Sequence, residues 1–457
     1  MAMRIHTEEK KPLADLQATA TNPANVTKIA QARENALSRV LMTYITSGLI
    51  FMLLPGTFLG VWNLLQISGS ENAGSVSPAW LQAHGHAQVF GWIGSFILGI
   101  GFHSIPKRRG AMKPPIIAAW VCWVFWTIGV AMRWAANIYP WHWRILLPLS
   151  SILEFSAFLL FANTVSHHRP EDAGKERLDP WIWIVISAVF GFLFALLGNI
   201  AGCFYVALQG TSSALPHVLD QRYLALLTWG FLVPFIWGFS ARWMHVFLGL
   251  KPIRPAFLVV AVLINFSGVI LTLAGRYTLG AILFLCGGIL AIGGVRMFEL
   301  AIHEPKIRGL HTTFPYFVRA AYGWLLVAAI LGIIAARWDN SGGIWGASRH
   351  ALTVGFIAAI VLCVGQRILP AFAGMRALWS TQMMFTSLAL LMGGCFLRVS
   401  CEILAYQGYV QWAWSVLPPS AMLELTGIAA FAVNIFGTFL FEPSHAQHQA
   451  LIIEIPK

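Results

Sequence analysis

Three histidines have the type and placement to hold a metal-centred cofactor. His84 and His86 sit in the run WLQAHGHAQVFGWIGSFILGIGFHSIP, residues 80–106, and His350 sits in Arg349-His350-Ala-Leu-Thr-Val-Gly355. A histidine in hydrocarbon is costly, so it has a partner or a task. Residues i and i+2 on a helix stand about 200° apart, so His84 and His86 do not share one metal. Either they face two centres, or one ligates while the other holds a hydrogen bond. A histidine from a later span at matching depth supplies the opposite axial ligand of a haem. Haem iron takes a neutral imidazole nitrogen, and an acceptor on the other ring nitrogen fixes the tautomer. Arg349 beside His350 offers a bidentate fork to a haem propionate. Trp92, one or two turns below His84 and His86, offers a flat face to a macrocycle. Gly85, Gly91, Gly94, Gly99 and Gly101 let a flat group or a neighbouring helix approach closely. The plain alternative for each histidine is an interfacial side chain satisfied by its neighbours.

The elements that must carry these residues are membrane spans. The chain has 457 residues, 58% hydrophobic and only 11% charged, where a soluble domain is about 25% charged. Such a composition, with 41 Gly, 20 Trp and 31 Phe, predicts an all-α, polytopic membrane bundle. Twelve apolar spans are expected, over 38–65, 79–104, 114–136, 143–166, 180–208, 217–243, 256–274, 277–298, 315–336, 346–370, 378–404 and 412–440. Each is near the ~20 residues a bilayer needs. The chain then divides into a polar N-terminal tail, 1–37, helical near its end, a transmembrane domain, 38–441, and a short C-terminal tail, 442–457. No strong internal repeat stands out.

With the N-terminus inside, the inner segments hold about 18 basic residues and the outer segments about three, Arg276, Arg337 and Arg349. That asymmetry predicts both termini on the cytoplasmic side of a bacterial-type inner membrane. His84, His86 and His350 then share a depth near the outer face. His142 and His217 open spans from the same side, and His103, His245, His303 and His311 belong to the inner side. The loop histidines His167 and His168 and the tail histidines His6, His445 and His448 fall outside the spans. The formal charge of +12 reads as loop topology, and no nucleic-acid motif accompanies it. The cysteines, Cys122, Cys203, Cys286, Cys363, Cys395 and Cys401, lie in or beside spans with no CxxC, which predicts reduced, packed thiols. Glu154, Glu402 and Glu424 are acids in apolar surroundings, among Arg133, Arg222, Arg242, Arg367 and Arg398. Ion pairing between helices is the favoured reading for them, and a proton relay through Glu154 or Glu424 the other.

The stretch HGHAQVFGW resembles the HxHxxxFG motif that opens a span in the NnrS family. RHALTVGFIAAIVLCVGQRILPAFAG resembles that family's later HALTVG segment. The layout is also similar, more distantly, to haem-copper oxidase subunit I, in which spans 2 and 10 carry haem-ligating histidines near the outer face. The resemblance implies a haem-copper-oxidase-subunit-I-like bundle of about twelve spans. It implies a haem of b type between His84 or His86 and His350, copper as a second cofactor, and a role in nitric oxide and nitrosative-stress metabolism or in membrane electron transfer. An open coordination position would admit a gas such as nitric oxide, whereas two histidine ligands favour electron transfer. A haem redox protein needs an electron source, so a redox partner protein or subunit is expected beside the membrane lipid. The sequence departs from the oxidases in spans 6 and 7. His217 and His245 lie only at the ends of span 6, and span 7 holds no histidine, so no dinuclear copper site is carried over. Two other readings stand beside this one: a respiratory oxidase or nitric oxide reductase catalytic subunit, and a cofactor-free transporter or assembly factor.

Overall fold

The computed structural model describes residues 23–108, 115–166, 179–372 and 377–441. His6, His167, His168, His445 and His448, with most of the expected tails, lie outside the described residues. Twelve helices are long and apolar enough to cross a membrane, and no strand occurs among the described residues. They are α1 (Gln31–Ser70), α2 (Pro78–Ile105), α3 (Ile116–Ile138), α4 (Trp143–Ser166), α5 (Pro180–Gln209), α6 (His217–Phe247), α7 (Pro255–Leu273), α8 (Tyr277–Val295), α9 (Phe314–Trp338), α10 (Gly343–Phe372), α11 (Thr381–Tyr406) and α12 (Ala413–Leu440). The protein is thus an all-α polytopic membrane bundle, as composition predicts. The end of the expected N-terminal tail is helical, in a run that starts at Pro23 and continues into α1.

Burial sorts the helices into layers. In α2, α6 and α10, 67–72% of the most apolar stretch is buried, against 33–56% in the other nine. These three form the interior. Around them α3 pairs with α4, α7 with α8 and α11 with α12, and the ring continues through α4–α5, α8–α9 and α12–α1. Helices that bury one stripe and expose the rest to lipid need be apolar all round, which is why their sequences show little amphipathic pattern. Close packing falls on small residues, as expected where lipid and side chain are equally apolar. A methyl at Gly294 would meet Leu258 at 2.7 Å, and one at Gly427 would meet the Ser387 carbonyl at 2.8 Å.

Four helices loosen into π-helical turns: Met52–Phe58 in α1, Ala87–Gly94 in α2, Thr228–Leu232 in α6 and Ala351–Ala358 in α10. π turns are rare and cluster at functional sites, because each turn re-aims the side chains beside it. Two of them begin one residue after His86 and His350, and both run eight residues.

Candidate functional site

The interior helices and the ring enclose three polar or hollow compartments, each near the end of the bundle where the even-numbered helices begin. The first is bounded by α2 to α6. His86 Nε2 lies 2.7 Å from Glu154 Oε1, and Asn199 Nδ2 donates to Glu154 Oε2 at 2.8 Å. The His86 ring stacks on Phe90, 4.3 Å between centroids at 14°. His86 is 8% exposed and Glu154 is fully buried. The Arg133 guanidinium contacts Cys203, and the Cys203 thiol lies 3.7 Å from Asn199 Oδ1. Sequence reasoning anticipated a partner for Glu154 and looked for it among the arginines. The closest contact comes instead from a histidine on another helix, which no local spacing announces.

The second compartment is bounded by α10, α11, α12, α1 and α2. His350 Nδ1 lies 2.9 Å from the Gly346 carbonyl one turn back, and 3.2 Å from Glu402 Oε2. Arg398 Nη2 contacts Glu402 Oε1 at 3.4 Å, and Glu424 is close enough to feel the charges of His350, Arg398 and Glu402. Gly346 leaves room for the Glu402 carboxylate, which a methyl there would displace. His84 enters from α2. Its Nδ1 lies 2.9 Å from the Gly56 carbonyl, in the π turn of α1 that Pro55 accompanies. Gly60 admits the ring, since a methyl there would stand 2.6 Å from His84 Cε1. His84 lies within electrostatic reach of His350 and Arg398. Of the predicted site residues, His84 and His350 lie within electrostatic reach of each other, and His86 turns to Glu154. Residues i and i+2 on a helix face nearly opposite sides, so the two rings part.

The third compartment lies between α6 and α10, and Arg349 lines it while staying within electrostatic reach of Glu402 beside His350. Trp92 is 1% exposed and meets Phe96 edge-on at 6.0 Å. Its Nε1 is buried without a hydrogen-bond partner. His103 is 1% exposed, 5.1 Å from the Phe372 ring, with Nε2 3.7 Å from Glu34. All six cysteines are free thiols, five of them buried.

The donor sets test which cofactors fit. An axial haem ligand needs one ring nitrogen anchored by an acceptor and the other free. His84 and His350 both hold Nδ1 against a backbone carbonyl, and neither Nε2 forms a hydrogen bond among the described residues. His86 spends Nε2 on Glu154. Arg398 Nε and Nη1 are buried and unpartnered, which suits a propionate. Copper fits less well: among the described residues no group of three or more His, Cys, Asp or Glu is placed to hold a metal ion.

A family model described as a domain of unknown function (DUF8744) matches residues 222–434. That stretch takes in most of α6, all of α7 to α11 and most of α12, and with them Arg349, His350, Arg398, Glu402 and Glu424, but not His84 or His86. No characterised protein matches the chain.

Proposed function

We propose that this chain is a membrane haem protein that passes electrons through a b-type haem held between α2 and α10, with His84 and His350 as its two axial ligands. The observation that carries the reading is the shared anchoring of these two imidazoles, each with Nδ1 on a backbone carbonyl and Nε2 uncommitted, within electrostatic reach of each other. Glu402 places Oε2 3.2 Å from His350 Nδ1, and a negative charge there raises the basicity of the ring. Arg398 would face a propionate, and Gly56, Gly60 and Gly346 keep the walls close. A haem so ligated supplies one-electron chemistry. His84 and His350 would hold such a haem together, and a haem held by two histidines would favour electron transfer over gas binding. Nitric oxide metabolism, which the resemblance implies, is then the process the electrons serve. The termini would face the cytoplasm, the haem would lie near the outer leaflet, and a redox partner would dock there.

The test is a reduced-minus-oxidised visible spectrum of the purified protein, from cells supplied with iron and haem precursors. A b-type spectrum is expected, lost or reshaped in His84→Ala and His350→Ala and retained in His86→Ala. A colourless wild-type preparation would overturn the reading and return the protein to the cofactor-free class.

A further inference from the structure

We propose that the compartment between α6 and α10 is a ligand site for a small aromatic anion, such as an aromatic carboxylate, held by Arg349. It needs no part of the haem reading. The cavity there has a volume of about 120 Å³. An engineered cavity of about 150 Å³ accommodates benzene, so this one is scaled to a single ring. Its walls suit a flat apolar body. Trp229 and Phe284 stack 4.4 Å apart at 1°, and Tyr277 meets Trp345 edge-on at 6.0 Å.

The polar groups point to the charge of the ligand. Of the five hydroxyls in the lining, four donate to backbone carbonyls, Thr228 to Leu224, Thr272 to Gly268, Ser348 to Ala328 and Thr353 to Arg349, and the fifth, on Tyr277, accepts from Arg222 Nε at 3.4 Å. The charged donor that remains is Arg349, whose Nη2 is buried and has no partner. No Asp, Glu, Lys or His lines the cavity. Asp220 and Glu402 are both within electrostatic reach of Arg349, but neither lines the cavity. A buried guanidinium N–H without an acceptor is costly, and an anionic oxygen satisfies it with a charge-assisted bond. The lining therefore asks for an acidic oxygen on a ring-sized apolar body.

The register of the helices explains why a cavity stands here. Gly91 follows His86 by five residues, Gly355 follows His350 by five, and Gly230 follows Ala225 by five, each glycine inside a π turn. A methyl at Gly129 would meet the Glu154 side chain and the Ser150 carbonyl, and one at Gly394 would meet Glu424 and the Ser420 carbonyl. In the same pattern, a methyl at Gly268 would meet Phe284 and the Gly280 carbonyl. Ala225 and Phe284 thus stand where the other compartments carry a histidine and a glutamate. Both line the cavity. The titratable pair is replaced by a methyl and a ring, and the charge comes from Arg349 on the far wall.

The experiment is calorimetric titration of the purified full-length protein with benzoate, benzyl alcohol and acetate. These supply ring with charge, ring without charge, and charge without ring. Saturable benzoate binding is expected, with benzyl alcohol and acetate weaker by about tenfold or more. Arg349→Gln is expected to weaken benzoate about tenfold, and Ala329→Phe, which fills the cavity, to abolish its binding. Absence of saturable benzoate binding, equal affinity for benzyl alcohol, or unchanged benzoate binding in Arg349→Gln would overturn the proposal. So would loss of a haem spectrum from Arg349→Gln, which would assign the guanidinium to a propionate. If either variant does not fold, the three-probe comparison on the wild type decides.

Discussion

Glu154 receives His86 on one oxygen and Asn199 on the other, so its carboxylate has partners on two further helices, 2.7 and 2.8 Å away. A buried charge is tolerated only with such partners, and removing one side of the pair leaves the other exposed to a medium that cannot solvate it. Glu154→Ala is expected to cost about 3–5 kcal/mol, read as a fall in thermal resistance of the purified protein. His86→Ala together with Glu154→Ala is expected to cost less than the sum of the two, because both remove the same contact. Additive losses would show that the pair is not coupled. Sequence reasoning named these residues but not their pairing. Glu402 was expected to find an arginine across helices. It finds Arg398 one turn away on its own helix, and the partner across helices is His350. A span apolar all round carries no mark of which face meets which neighbour, so the residue types were legible and the contacts were not.

At the scale of the element, the π turns and their glycines set the approach of neighbouring helices. A methyl at Gly91 would lie 2.6 Å from Phe51 of α1, and one at Gly355 would lie 2.5 Å from Trp324 of α9. Gly91→Val and Gly355→Val each force a bulky ring to move and are expected to destabilise by about 1–3 kcal/mol, with a lower aggregation temperature as the readout. A Val variant as stable as wild type at either position would show that the helices can part there freely. Beyond the spans, Glu299 ties the segment after α8 to Arg254 at 3.1 Å and Arg296 at 2.9 Å. The hydrogen bond from Arg296 holds the Glu299 carboxyl below its ordinary range. A depressed folded-state value means that the clamp contributes above the ordinary carboxylate range and is lost as pH falls through the folded value. The difference in stability between wild type and Glu299→Gln should therefore shrink on acidification. A difference independent of pH would count against the clamp. Eleven of the twelve spans were legible within four residues because length and hydropathy decide them, while the first runs longer than expected, over Gln31–Ser70. The π turns were not, since nothing in composition separates them from α-helix.

For the whole molecule, three interior helices surrounded by a ring produce three compartments, and the chain uses them differently. Sequence reading found no strong repeat. The structure nonetheless matches His86-Ala87 with His350-Ala351, Gly91-Trp92-Ile93 with Gly355-Phe356-Ile357, and Gly129 against Glu154 with Gly394 against Glu424. These matched residues are few and are scattered through otherwise apolar sequence. The basic residues predict that the loop between α4 and α5 is cytoplasmic and the loop between α5 and α6 is not. In a Cys286→Ser background, a membrane-impermeant thiol reagent should label Ser212→Cys in whole cells and leave Asp172→Cys unlabelled. The opposite pattern would invert the bundle. The central claim is that two histidines from α2 and α10 ligate one haem. Its most direct measurement is low-temperature electron paramagnetic resonance of the oxidised protein. A low-spin ferric signal is expected in the wild type and in His86→Ala, and conversion to high spin, or loss of haem, in both His84→Ala and His350→Ala. A low-spin signal that survives loss of His84 or His350, or one that disappears only with His86, would contradict it.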